Sequence, residues 1–155
     1  MAARDTQATR AARAAGIIFA VHEYEHDEQA ASYGLEAVEK LGVDAARVFK
    51  TLVADVDGTL TVAVVPVEAQ LDLRSLGKRA RMADTRATER STGYVTGGIS
   101  PLGQRRRLPT VLDESALGFE TIYVSAGRRG LEIELAPGDL LVLTGGTTAA
   151  VASRR

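Results

Sequence analysis

The segment that most constrains the fold is VFKTLVADVDGTLTVAVVP, residues 48–66, in which two strand-like runs flank the dipeptide Asp57-Gly58. Asp-Gly suits a tight hairpin turn because both central positions of that turn tolerate positive φ. The runs on either side have the length and residue types of strands. The sequence therefore predicts a β-hairpin of two long antiparallel strands, around which the other segments must pack.

Helical and strand-like segments follow one another irregularly along the rest of the chain. Helices are predicted over residues 6–15, 34–41, 73–80 and 85–92, and a closing helix or turn begins at residue 137. Strands are predicted over residues 17–24, 93–103, 110–117, 120–127 and 131–135. Because this order lacks a regular βαβ alternation, it predicts an α+β fold with a mainly antiparallel or mixed sheet. We expect residues 1–155 to form one domain.

Residues at the helix ends support several of these boundaries. Gly16 and Gly42 follow the first two predicted helices, at the position where a left-handed C-terminal cap is expected. Asp72 and Asp84 precede the next two, where an aspartate side chain accepts from the free N–H groups.

Composition argues against several classes of function. The chain has no cysteine, which excludes disulfides, thiolate metal sites and a cysteine nucleophile. With only two histidines, a protein-built metal site and a Ser-His-Asp triad are both disfavoured, so no metal or cofactor is expected. No apolar run approaches the roughly 20 residues of a membrane span, and the N-terminus lacks the apolar centre of a signal peptide. A cytoplasmic location without membrane contact is therefore expected.

Charge is unevenly distributed although the formal net charge is only −1. Residues 74–107 contain nine basic side chains and two acidic ones, whereas residues 23–44 contain seven acidic side chains and one lysine. Two interpretations stay open at this point. The basic region is either an ordinary solvated face or a surface that contacts the phosphates of an RNA.

Lys50 is out of place in the first strand of the predicted hairpin. Alternation along a strand puts it on one face with Val48, Leu52 and Ala54, and puts Phe49 on the other, so both faces are apolar. A strand that is apolar on both faces is usually covered on both, and burying an unpaired ammonium costs several kcal/mol. Lys50 must therefore reach solvent, find a partner or line a cavity.

Two further segments carry glycine next to polar or rigid residues. Residues 97–101, GGISP, are either a plain turn or a backbone that approaches a ligand closely. Residues 123–130, YVSAGRRG, put a serine and two arginines in a loop that either binds an anion or only connects two strands. Walker-type and Rossmann phosphate loops are absent from the sequence, which argues against nucleotide-driven chemistry.

Five ordered segments together carry a family resemblance. They are HEYEHD at 22–27, YGLEAVEKLG at 33–42, VFKTLV at 48–53, STGYVTGGISPLGQ at 91–104 and ETIYVSAGRRGLEIELAPGDL at 120–140. With these segments the chain resembles the YbaK family, the stand-alone relatives of the editing domain of bacterial prolyl-tRNA synthetase. The resemblance implies a mixed, barrel-like sheet surrounded by helices and hydrolysis of the ester that joins an amino acid to the terminal adenosine of tRNA.

Site residues follow from the same resemblance, position by position. It implies a catalytic set of Lys50, Gly97, Ser125 and Glu132, with Lys50 as the essential lysine. It implies substrate contacts at Tyr24, Tyr33, Thr51, Gly98, Ile99, Ser100 and Pro101. The basic region and the basic loop described above predict tRNA contacts at Arg105, Arg106 and Arg128. Tyr33 replaces a frequent phenylalanine of the family and Glu132 an aspartate, departures that bear on selectivity rather than on the reaction.

The branch that removes cysteine from mischarged Cys-tRNA(Pro), and also from Cys-tRNA(Cys), is the one the sequence resembles most. A deacylase for another misacylated tRNA, such as Ala-tRNA(Pro), and a non-catalytic module that binds tRNA or a synthetase stay open. The implied partners are the acceptor end of an aminoacyl-tRNA and prolyl-tRNA synthetase. Because no evident protein nucleophile accompanies these motifs, cleavage is expected to be substrate-assisted, with Lys50 stabilising charge, holding the tRNA end or moving a proton.

Overall fold

The computed structural model describes residues 4–30 and 32–153. Its α-helices are α1 Gln7–Ala15, α2 Tyr33–Leu41, α3 Thr85–Thr92 and α4 Pro137–Thr144. Its strands are β1 Phe19–Glu23, β2 Phe49–Val56, β3 Thr59–Pro66, β4 Gln70–Leu71, β5 Ala80–Met82, β6 Thr110–Asp113, β7 Ile122–Arg128, β8 Leu131–Leu135, β9 Thr147–Ala149 and β10 Ala152–Ser153. This mixture of elements confirms the predicted α+β class.

The predicted hairpin is confirmed over its full length. Strands β2 and β3 pair without interruption from Phe49 opposite Pro66 to Val56 opposite Thr59. The turn residues Asp57 and Gly58 have φ angles of 52° and 92°, the positive values that an Asp-Gly turn requires. The hairpin forms the centre of a five-stranded sheet in the order β5-β2-β3-β6-β9, in which β3, β6 and β9 run parallel and the other pairs antiparallel.

A second sheet, in the antiparallel order β1-β8-β7, lies against the first. The two sheets meet at a single parallel bridge between Val48 and Tyr123. Strands β10 and β4 form a separate short ladder. The sheet is therefore mixed, as expected, and strand pairing among the described residues does not close it into a complete barrel.

Strand β2 has one fully paired edge and one divided edge. On the side away from β3, Val48 bridges to Tyr123 at the near end, and the Val53 carbonyl accepts from the Ala83 N–H at the far end. Between them, none of the residues Phe49–Leu52 pairs on that side with a strand in the described part of the chain. The divided edge leaves an opening between the two sheets.

Strand β7 contains a bulge where it pairs with β8. Ser125 pairs with Glu132 and Arg128 with Leu131, so three steps along β7 correspond to one step along β8. Gly127 in this bulge has a φ of 112°. Thr6, the N-cap residue of α1, donates its hydroxyl hydrogen to the Ala126 carbonyl at 2.5 Å. The first helix therefore fixes the shape of the bulge.

The main core lies between the two sheets, with α1 and α4 covering it. Its largest fully buried side chains are Phe49, Leu102, Leu112, Ile122, Leu131, Ile133, Leu135 and Leu140. Every second residue of β7 and β8 enters this core, which is the burial pattern of a sheet packed on one face. In residues 4–30 and 32–153 no helix combines the length and apolar character that crossing a membrane would take.

Helix caps confirm three of the predicted helices. Gly16 and Gly42 end α1 and α2 in the left-handed conformation, and the Asp84 carboxylate accepts from the Ala87 N–H at 2.7 Å to cap α3. The helix predicted over residues 73–80 is wrong. A 3-10 turn at Leu73–Ser75 and strand β5 replace it, because the Asp72 side chain makes no capping bond and Gly77 has a φ of 159°.

The strand predicted over residues 93–103 is also wrong. That segment consists of consecutive turns, in which Gly93, Gly97 and Gly103 all have positive φ. Tyr94, buried in the core, donates its hydroxyl hydrogen to the Leu102 carbonyl at 2.5 Å and closes the segment into a loop. Strands β9 and β10 were not predicted at all.

Gly103 is expected to be essential for stability. A Cβ at this position would lie 2.4 Å from the Gln7 carbonyl oxygen, and the φ of 65° disfavours any side chain. We expect Gly103→Ala to lower the free energy of unfolding by about 2 kcal/mol or more in urea titrations. Gly118→Ala is the matched control, because its Cβ would meet no atom within 4 Å and its φ is not positive. Equal stability of the two variants would contradict this account of the loop.

Candidate active site

The opening at the divided edge of β2 is a cavity of about 470 Å³. Such a volume lies within the range of small-molecule binding sites, about 300–1,000 Å³. Its walls come from β2, α2, the loop before Ile99, and the β7–β8 hairpin. Nine of the predicted site residues line it: Tyr24, Tyr33, Lys50, Thr51, Gly97, Ile99, Ser125, Arg128 and Glu132.

Three predicted substrate contacts do not line the cavity. Gly98, Ser100 and Pro101 lie behind its wall and are buried. The Ser100 hydroxyl oxygen accepts from the Leu102 N–H at 3.2 Å, and a Cβ at Gly98 would lie 2.8 Å from the Arg128 Cα. These residues support the loop that carries Gly97 and Ile99.

Two of the predicted tRNA contacts are also outside the cavity. Arg105 and Arg106 are exposed and lie in the loop between α3 and β6, where their N–H groups donate to the carbonyls of Thr92 and Ser91, each at 2.9 Å. Arg106 lines a second, smaller cavity of about 240 Å³, together with Pro101. Any contact they make with tRNA is therefore separate from the aminoacyl end.

Of the three alternatives for Lys50, which were to reach solvent, to find a partner or to line a cavity, the structure shows the third. Its side chain is half-buried and makes no ion pair with any acidic group in residues 4–30 and 32–153. Burial without a partner lowers the pKa of the Lys50 ammonium. An unpaired cation in a partly desolvated cavity is suited to bind or stabilise negative charge.

Glu132 is the second titratable group of the cavity. It lies on β8 between His22 of β1 and Ser125 of β7, and only 7% of the residue is exposed. Burial raises the pKa of its carboxyl to about 8, so the group is mainly protonated at neutral pH. It does not neutralise Lys50. A neutral acid, Glu132, and a cation without an ion pair, Lys50, therefore line the same cavity.

Polar side chains around these two groups have unused hydrogen-bonding capacity. The Ser125 hydroxyl oxygen accepts from the Gly127 N–H at 3.1 Å, which leaves its own hydrogen available. Thr51 is buried, and its hydroxyl has no hydrogen-bond partner among the described residues. Because a buried hydroxyl without a partner is costly, Thr51 is a natural contact for a polar atom of a bound ligand.

Tyr24 and Tyr33 both form part of the cavity wall. Burial, with a smaller contribution from nearby Glu132, raises the pKa of Tyr24 to about 12, so it remains a phenol across the physiological range. Tyr33 begins α2 at the cavity mouth, with His26 edge-on to its ring at 5.8 Å between centroids. Glu36 of the same helix accepts from the Asp27 N–H at 2.6 Å and contacts His26 Nδ1 at 2.7 Å, which fixes the preceding loop.

Arg129 is the main cavity residue that the sequence did not identify. Its guanidinium carbon lies 3.8 Å from the centroid of the Tyr33 ring. The glycine-flanked Arg128-Arg129 pair was visible as a basic loop, but only Arg128 was assigned to tRNA. Both arginines line the cavity, and their different contacts, Arg128 with Glu23 and Arg129 with Tyr33, were not visible in the sequence. Other lining residues without a sequence signal are Ser32, Met82, Thr85, Thr88 and Thr96.

The chemistry of the cavity favours charge stabilisation over covalent catalysis. Its described lining contains no histidine, and Glu132, which pairs with Ser125 across the ladder, is mainly protonated at neutral pH, so Ser125 has no ionised carboxylate or imidazole to act as its general base. The lining offers instead three cations, a neutral acid, two phenols and six serine or threonine hydroxyls. Within residues 4–30 and 32–153, no group of three His, Cys, Asp or Glu side chains is arranged to hold a metal ion.

Comparison with known proteins gives concordant matches. The model of the aminoacyl-tRNA editing domain matches residues 27–143. EbsC of Enterococcus faecalis, for which Cys-tRNA(Pro)/Cys-tRNA(Cys) deacylase activity has been proposed, is 42% identical over 122 residues, covering 75% of this chain and 74% of that protein. The crystal structure of a proposed trans-editing enzyme for prolyl-tRNA synthetase superposes with a TM-score of 0.77 at 26% identity, covering 92% of this chain and 96% of that one. The hypothetical protein APE2540 shares the fold, with a TM-score of 0.84 at 24% identity over 96% of this chain and all of that one (100%).

The buried Glu132 carboxyl predicts a specific pH dependence of stability. Because its pKa is raised from 4.5 to about 8 in the folded state, the folded chain holds this proton more tightly than the unfolded chain. Stability should therefore fall as pH rises from about 4.5 to about 8, relative to Glu132→Gln, and the difference should then level off. Urea titrations of both proteins across this range measure it.

Glu134→Gln is the control on the same strand. Hydrogen bonding to Thr121 and to His22 lowers the pKa of Glu134, despite its partial burial. Its contribution to stability should therefore be present at neutral pH and disappear on acidification, the opposite sign. A pH-independent difference between wild type and Glu132→Gln would contradict the assignment of Glu132 as a neutral acid.

Proposed function

The chain belongs to the aminoacyl-tRNA editing domain family, and from that premise we propose that it is a trans-editing deacylase that removes cysteine from Cys-tRNA(Pro), and also from Cys-tRNA(Cys). Membership confirms the resemblance to the YbaK family that the sequence motifs carried. The observation that supports the activity best is the position of Lys50, which lines the cavity and has no ion pair among the described residues. In the reaction, the ester C–O bond breaks, the tRNA leaves with its ribose hydroxyl, and water completes the carboxyl of free cysteine.

Lys50 has the central role in this mechanism. When the ester carbonyl is attacked, negative charge develops on its oxygen, and a nearby ammonium in a partly desolvated site stabilises that charge. The substrate assists its own cleavage, because the lining provides no activated nucleophile. Either the cysteine thiol displaces the ribose oxygen from the carbonyl and water then opens the resulting cyclic thioester, or the free ribose hydroxyl activates a water molecule that attacks the carbonyl. Backbone groups at Gly97 hold the aminoacyl moiety, and Ser125 and neutral Glu132 donate hydrogen bonds to it.

Selection of the correct tRNA depends on more than this cavity. The net charge of −1 argues against tight non-specific binding of RNA. We propose that the chain acts on tRNA delivered by prolyl-tRNA synthetase, with Arg105 and Arg106 contacting the nucleic acid outside the cavity. The use of tRNA as substrate is also the reason to propose a cytoplasmic location.

Lys50→Ala is expected to abolish most deacylation while leaving the fold intact. Loss of one charge-stabilising donor typically lowers the rate about 10²–10³-fold. Single-turnover hydrolysis of Cys-tRNA(Pro), measured beside Cys-tRNA(Cys) and Ala-tRNA(Pro), tests both the residue and the substrate. The chain has three lysines, and exposed Lys78, which does not line the cavity, provides the control variant Lys78→Ala. Normal hydrolysis by Lys50→Ala would reject this mechanism.

The pH profile distinguishes a cationic Lys50 from a neutral base. As a cation, Lys50 supports a rate that falls as pH rises through its pKa, which burial has lowered. The profile is also measured in Glu132→Gln, which separates the titration of Lys50 from that of Glu132 near pH 8. The background hydrolysis measured with Lys50→Ala is subtracted at each pH. Because only Lys40 and Lys78 accompany it, ¹⁵N-lysine NMR can follow the Lys50 ammonium directly. A rate that increases through that titration would identify a base instead.

A further inference from the structure

The two adjacent arginines of the β7–β8 hairpin have different electrostatic environments. The Arg128 Nη2 forms an ion pair with Glu23 Oε2 at 2.7 Å, and its Nη1 donates to the Arg129 carbonyl at 3.0 Å. Arg129 forms no ion pair with any acidic group in the described part of the chain. The uncompensated positive charge on this side of the cavity therefore belongs to Arg129.

Neighbouring groups hold the Arg129 guanidinium in place at the cavity. It stacks on the Tyr33 ring at 3.8 Å, and its Nη2 donates to the Thr96 carbonyl at 3.3 Å. The N–H groups of Nε and Nη1 have no hydrogen-bond acceptor in the described part of the chain. An arginine oriented in this way loses little conformational entropy when it binds an anion.

Gly97 makes this arrangement possible. A Cβ at Gly97 would lie 2.7 Å from both Arg129 Nε and Tyr33 Cε2, and 2.8 Å from Arg129 Nη2. Any side chain there would displace the stacked pair. Glycine is therefore required at position 97 to leave space for the stacked pair, independently of any contact between its backbone and the amino acid of the substrate.

We propose that Arg129, rather than Arg128, binds a phosphate of the 3′-terminal nucleotides of tRNA and so positions the ester beside Lys50. This proposal rests on the function proposed above. The reasoning is chemical: the ester is carried on the terminal ribose, the nearest phosphate is attached to the same ribose, and both Arg129 and Lys50 line one cavity. A planar guanidinium with two available donors matches a phosphodiester.

Two substrates, one with the tRNA phosphates and one without any phosphate, test the proposal. We expect Arg129→Ala to raise the KM for Cys-tRNA(Pro) about 10- to 100-fold, with little change in kcat. Hydrolysis of the cysteinyl ester of adenosine, which has no phosphate, should be unchanged. An equal loss on both substrates would indicate that Arg129 only maintains the cavity, and an unchanged KM for tRNA would also overturn the proposal.

Three further variants sharpen the test. Arg79→Ala removes an arginine that is paired with Asp57 and does not line the cavity, so it should leave the KM for tRNA unchanged. Arg129→Lys keeps the charge but loses the planar fork, so an intermediate KM is expected. Gly97→Ala and Arg129→Ala should raise that KM less together than the product of their separate effects, because both act through the same stacked guanidinium.

Binding measurements separate this proposal from the proposed function. If the wild-type chain hydrolyses none of the aminoacyl-tRNAs, the deacylase function fails, but Arg129 can still be tested. A fluorescent RNA hairpin ending in CCA and carrying no amino acid serves as the probe in anisotropy titrations. Weaker binding to Arg129→Ala than to Arg79→Ala supports the phosphate contact, and equal binding by the two variants rejects it.

Discussion

The divided outer edge of β2 is the constraint on which the site depends. A strand in the middle of a sheet normally satisfies both of its edges, but β2 is paired along its whole length only with β3. Its other edge is shared between Tyr123 at one end and β5 at the other. The two sheets therefore separate where Phe49–Leu52 lie, and Lys50 stands on a rigid strand at the resulting cavity. Rigid strands place functional groups more reproducibly than mobile loops do.

Several polar groups that line that cavity are not paired with one another by ion pairs or hydrogen bonds. Lys50 has no ion pair among the described residues, Glu132 is kept neutral by burial, and the Thr51 hydroxyl has no partner there. Each of these conditions lowers the stability of the folded chain. They contrast with Glu134 and Asp113, whose carboxylates are fully engaged in hydrogen bonds nearby in the fold. Several polar groups without partners in one cavity are typical of a functional site.

Local signals predicted local structure well, and long-range contacts account for the errors. The Asp57-Gly58 hairpin and the capped helices depend on neighbouring residues, so the sequence was sufficient for them. The turns between Gly93 and Gly103 depend on a distant helix and on the Tyr94 hydroxyl, and β9 pairs only through a parallel neighbour. In the same way, chemical mismatch and family motifs predicted a site at Lys50, whereas distinguishing Arg129 from Arg128 required their contacts with Tyr33 and Glu23.

That bulge also limits how the segment can change in evolution. Ser125 and Glu132 face each other across the ladder, and the additional residues of β7 then lead to Arg128, which pairs with Leu131. Because strand side chains alternate between faces, deleting one bulge residue would reverse the orientation of everything between it and the hairpin tip. The length of this hairpin is therefore a constraint of its own. A substitution of Arg129 changes one side chain of the cavity, whereas an insertion or deletion in the bulge would displace Arg128 and Arg129 together.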